Sequence, residues 1–97
     1  IENKDLDGGI IFKVQVAAGA NKLEPIPQNF KGLNHLSREF DGKLYRYYYQ
    51  STLDYLEAQG FLKEVKAAGY TSAFIIAYDT QLEKKISLRK AIKAKLN

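Results

Sequence analysis

The chain has 97 residues, 12% of them aromatic, with no cysteine and no methionine, and carries a net charge of +4. That length fits one domain, able to bury roughly 60–65% of the surface its unfolded form exposes. The lack of cysteine excludes thiol catalysis, cysteine-ligated zinc and a disulfide framework. No apolar run approaches the ~20 residues of a membrane span, and these 97 residues are not expected to include a signal peptide. Because position 1 is not methionine, the chain is expected to be part of a longer protein, with any targeting signal outside it.

Residues 1–9 are polar and end Asp-Leu-Asp-Gly-Gly, which predicts a linker or lead-in turn ahead of a domain over 10–97. Residues 10–18 then alternate, with Phe12, Val14 and Val16 on one face and Ile11, Lys13, Gln15 and Ala17 on the other. That is the pattern of a half-buried strand. Across 19–28, Pro25 and Pro27 remove two backbone donors and restrict their predecessors, so at most one helical turn fits.

Residues 33–40 satisfy helical and strand spacing alike, and the Asp41–Gly42 pair decides between them. Asp-Gly between two apolar-alternating runs predicts a hairpin through a type I′ turn, in which both central residues need positive φ. The strands it joins are expected over 34–40 and 44–50. The second, GKLYRYYYQ with its leading turn, is the most unusual segment of the chain: Tyr45, Tyr47 and Tyr49 point one way, and Leu44, Arg46 and Tyr48 the other. One face can enter a core while the other displays apolar, aromatic and cationic groups, a surface suited to a sugar chain or single-stranded nucleic acid.

Ser51-Thr-Leu-Asp54 has capping-box form, and Leu53, Leu56, Ala58, Phe61, Leu62, Val65 and Ala68 recur at helical spacing until Gly69. A long helix over 51–68 is therefore expected. Residues 73–78, AFIIAY, read as a buried strand, and Ile86 can add a short one. Ser87 can cap a last helix with Leu88, Ala91, Ile92 and Leu96 on one face and Arg89, Lys90 and Lys93 on the other. The order strand, irregular crossover, two strands, helix, strand and helix predicts an α+β, ferredoxin-like (RNP-like) fold. It has a four-stranded antiparallel sheet, helices on one face, a reduced first helix and an extra C-terminal helix.

Catalytic and metal chemistry find little support. Asn3, Asp5 and Asp7 imitate the opening of a calcium loop, but Val14 stands where a bidentate glutamate is required. His35 is the only histidine, so neither a shared zinc nor a base for Ser51 or Ser72 is at hand, and Asp54, Glu57 and Glu64 suit the solvated face of a helix. The domain itself is expected to be a binding module without catalytic residues, metal or cofactor.

With these elements in place, the chain resembles the SPOR domain in the divergent form found at the ends of envelope proteins of Bacteroidetes-type bacteria. The resemblance is carried by Phe12-Lys-Val-Gln-Val-Ala-Ala18, Phe30-Lys-Gly-Leu33, Leu44-Tyr-Arg-Tyr47, Val65-Lys-Ala-Ala-Gly-Tyr70 and Ala73-Phe-Ile-Ile-Ala-Tyr78, in order and at family-like spacing from about Ile11 to Ile92. It implies a monomeric, periplasmic module that binds peptidoglycan glycan strands stripped of stem peptides. Such a module targets a parent envelope protein, for example an N-acetylmuramoyl-L-alanine amidase, to the cell-division site. No nucleic-acid partner and no membrane insertion of this segment are expected. By position, the family's binding residues fall on Gln15, Leu44, Arg46 and Phe74; Tyr48 joins them by sharing the face. The chain departs from the family at Ala18 and Gly19, where a hydroxyl is common, at Leu44, where some members place tryptophan, and at Gln50, where glycine is usual.

Two other readings compete. A protein-interaction or structural module of an envelope protein would use the same open face. Single-stranded RNA or DNA binding is the weaker rival, because residues 43–49 lack the glycine between aromatics that the RNA recognition motif requires.

Overall fold

The computed structural model describes residues 9–96; the expected lead-in turn, apart from Gly9, and the calcium-like Asn3–Asp7 pattern lie outside the described residues. The strands are β1 (Ile10–Gly19), β2 (Leu36–Phe40), β3 (Tyr45–Thr52), β4 (Phe74–Asp79) and β5 (Lys84–Ile86). They form one antiparallel sheet in the order β2-β3-β1-β4-β5. The helices are α1 (Tyr55–Ala67), between β3 and β4, and α2 (Leu88–Leu96), after β5. This is the ferredoxin-like α+β arrangement, with its first helix replaced by an irregular crossover and an additional helix at the C-terminal end.

Alternation in β1 buries Phe12 and Val14 completely, and these pack with Tyr49 and Ile75 from the neighbouring strands against Ala58 and Val65 of α1. Phe12 meets Tyr55 at 5.3 Å between ring centroids, and Tyr49 meets Phe61 edge-on at 5.8 Å. The last helix buries Ala91 in the same cluster, so both helices cover one face of the sheet. Its packed row is Leu88, Ala91 and Ala94, whereas Leu96, expected on that row, is exposed. Ser87 caps it as expected, its hydroxyl accepting from the Lys90 amide at 3.0 Å.

The crossover holds only the single 3-10 turn Pro27–Asn29, as its prolines dictate. It is nevertheless fixed to the sheet. Phe30 stacks on Tyr47 at 4.9 Å, and the Tyr47 hydroxyl accepts from the Leu23 amide and donates to the Asn21 carbonyl. Arg38 donates to the Leu23 carbonyl at 2.7 Å.

Three local expectations need correction. The hairpin forms at Asp41–Gly42, but only Gly42 has positive φ (97°), so the turn is not type I′. A four-residue connection is held instead by Asp41, whose Oδ1 accepts from the amides of Lys43 and Leu44 at 2.9 and 2.8 Å. His35 lies just before β2 rather than in it, in a left-handed conformation with φ of 57°.

The long helix begins at Tyr55, not Ser51, because Ser51 and Thr52 belong to β3, where Thr52 is paired with Phe12. The cap is therefore Asp54, which accepts from the Leu56 amide at 3.1 Å, while the Thr52 hydroxyl donates to Glu57. At the other end Gly69 (φ 119°) closes a Schellman turn, its amide donating to Lys66 and that of Tyr70 to Val65.

The parity of β1 breaks at a bulge. Gln15 pairs with Tyr48, but Ala17, not Val16, pairs with Tyr47, so Val16 is the extra residue and Ala17 moves to the helix-covered face. A second irregularity opposes Phe12 and Val14 with Thr52 and Tyr49, which leaves Gln50 as the extra residue of β3. Gln50 adopts φ of 62° there, a left-handed position that glycine would take without strain.

Candidate functional site

The sheet face opposite the helices carries Lys13, Gln15, Tyr48, Phe74, Ile76 and Tyr78, and no described element packs on it. At its centre one cross-strand row runs Tyr48–Gln15–Phe74 over β3, β1 and β4. Three of the five sequence-derived positions are thereby brought together. Phe74 is 49% exposed and presents an aromatic surface to solvent.

Gln15 is 7% exposed, yet its side chain makes no hydrogen bond among the described residues. Among the described residues no buried side-chain nitrogen or oxygen lacks a partner, which places the Gln15 amide within reach of water. The opening is a cavity of about 190 Å³ lined by Gln15, Val16, Ala17, Ala18, Ser72 and Phe74, formed where the β1 bulge meets the start of β4. A polar amide at the wall of a recess, with donors and acceptor uncommitted, is suited to a ligand that offers both.

Tyr48 departs from expectation. Alternation places it on the open face, but it is 1% exposed and cannot serve as a stacking platform. Its ring lies beneath two ammonium groups, Lys13 Nζ at 5.2 Å and Lys85 Nζ at 5.6 Å from the centroid. Its hydroxyl donates to Glu39 at 3.2 Å. Burial first, and then the neighbouring Glu39 carboxylate, push the phenol well above its ordinary range.

Arg46 and Leu44 are not part of the central row. Gln15 is registered against Tyr48, and Arg46, two residues further along β3, stands opposite Ala18 towards the hairpin. Its guanidinium also grips Asp41, with Nε and a terminal nitrogen each 2.9 Å from Oδ2. The Leu44 and Lys43 amides, and then Arg46, hold the Asp41 carboxyl down at about 2. Leu44 lies in the hairpin connection, outside the paired strands.

Lys13 and Lys85 are the residues that sequence reasoning did not assign to the site. Alternation with Gln15 already put Lys13 on this face. Lys85 gave no such signal, because its position depends on β5 pairing with β4, where it stands opposite Tyr78. Among the described residues no group of histidine, cysteine or carboxylate side chains could hold a metal ion. None of the described helices is long and apolar enough to cross a membrane.

No family model, curated protein or solved structure matches the chain.

Proposed function

We propose that this chain is a SPOR-like, glycan-binding module of the cell envelope, acting in the periplasm on peptidoglycan strands that have lost their stem peptides. The observation that carries the reading is Gln15, an almost buried amide with no hydrogen bond among the described residues, beside the exposed ring of Phe74 on a sheet face that no described element covers. Sugar hydroxyls and acetamido groups need mixed donors and acceptors, and the apolar face of a pyranose stacks on an aromatic ring. The module binds and does not cleave; any wall hydrolase activity belongs to a parent protein that it brings to the division site. A nucleic-acid role is disfavoured by Tyr48, since base stacking on the two central strands needs open aromatic faces and this ring is covered.

Co-sedimentation with purified sacculi, intact or pretreated with amidase, tests the proposal. Selective retention on the treated wall, lost in a folded Gln15→Ala, Phe74→Ala variant, is the expected result. Equal retention on both walls, or full retention by that variant, overturns it.

A further inference from the structure

The open face gathers two like charges over one ring. Lys13 Nζ from β1 and Lys85 Nζ from β5 lie 5.2 and 5.6 Å from the centroid of Tyr48. Two ammonium groups that share so small a region repel each other, and neither forms an ion pair among the described residues. The Glu39 carboxylate is engaged by the Tyr48 hydroxyl. A quadrupolar ring face attracts cations but leaves their charge uncompensated. The result is a spot of positive potential next to the uncommitted amide of Gln15, and a single carboxylate placed between the ammonium groups would relieve the repulsion and accept from both.

We infer that Lys13 and Lys85 form a carboxylate-binding site, and that its ligand is the lactyl carboxylate of muramic acid. This rests on the glycan reading above and names what makes a stripped strand distinctive. In an intact strand the lactyl carboxyl is tied up as an amide to the first residue of the stem peptide. Hydrolysis of that C–N bond by water gives a free amine on the departing peptide and a carboxylic acid on the glycan, which loses its proton at neutral pH. Every stripped muramic acid thus carries a new anion. A cationic pair set beside a hydrogen-bonding amide and an aromatic ring recognises that anion together with the sugar that bears it.

The competing role is purely structural, since lysine side chains can also shield a ring with their methylene groups. Lys13→Met with Lys85→Met separates the two, since methionine keeps an apolar stem over the ring and removes only the charge. The ligands are soluble glycan fragments released from amidase-treated sacculi, and the same fragments with their carboxyls converted to methylamides. Calorimetry with the wild-type chain is expected to give affinity about tenfold or more higher for the carboxylate form. The double Met variant is expected to melt near the wild-type temperature and to bind both forms alike, at the weaker level.

Equal wild-type affinity for the two forms overturns the carboxylate site while leaving glycan binding intact. Unchanged carboxylate preference in the double variant assigns the lysines to covering Tyr48 alone and overturns the inference. Absence of wild-type binding to either fragment overturns both the inference and the glycan reading.

Discussion

Tyr47 and Tyr48 are adjacent on β3, point to opposite faces of the sheet, and are each 1% exposed, yet they are buried by different means. Tyr47 is sealed by another part of the chain: Phe30 stacks on its ring, and the crossover takes both hydrogen bonds of its hydroxyl. Tyr48 lies under lysines of its own sheet, whose ammonium groups stand over the ring. Burial on one face therefore marks the core. On the other it marks a surface that is dry at the ring and charged just above it, which is where a polar ligand with apolar patches can settle.

The largest expected contrast comes from truncating each ring. Tyr47→Ala should cost about 3–5 kcal/mol, because the ordered crossover cannot close over the gap. Tyr48→Ala should cost less, about 2–3 kcal/mol, since flexible lysine stems can collapse into the space. Urea unfolding of the two variants checks the ranking, and equal losses would mean that the lysine cover is as rigid as the crossover.

Removing only the hydroxyls sharpens the comparison. Tyr48→Phe should lose about 0.5–1.5 kcal/mol at neutral pH, through its bond to Glu39. It should also change the alkaline limb of stability. The folded phenol ionises above its unfolded value, so its contribution is complete below about pH 10 and is lost as the pH rises further. Melting temperatures between pH 8 and 11 should therefore fall less steeply in Tyr48→Phe than in the wild type.

A smaller effect is expected where β3 bulges. Gln50→Gly removes the strain of a left-handed residue at φ 62° and should stabilise the domain by up to about 1 kcal/mol, less the added flexibility of the unfolded chain. Denaturant midpoints measure it, and a loss of stability would show that the Gln50 side chain contributes more than its backbone conformation costs.

The smallest effect is electrostatic and local to the hairpin. Asp41 is held at about 2, so its stabilising contribution is present above the ordinary carboxylate range and disappears as the pH falls through that value. Asp41→Asn should flatten the acid side of the melting profile between pH 5 and 2. The change should also shrink in high salt, because the partners sit at the solvent-exposed turn. An unaltered acid limb would remove the Asp41–Arg46 pair from any role in holding the turn.

Much of this architecture follows from neighbouring residues alone. Alternation from Ile10 to Gln15 fixes which side chains β1 buries, two prolines forbid a first helix, Asp41–Gly42 places the hairpin, and Gly69 stops α1. These signals are local, because a pleat has period two and a turn needs particular residues at particular φ. For the same reason Gln15 and Phe74 were legible as members of one face.

What the sequence could not decide are the features that depend on pairing between distant strands. The bulges at Val16 and Gln50 exist only in the register of β1 against β3, in which Thr52 pairs with Phe12 and the helix starts later, at Tyr55. The cover on Tyr48 requires Lys85, brought across the sheet by β5 pairing with β4. Periodicity assigns a side chain to a face, but its exposure on that face is set by the long side chains that tertiary structure lays over it.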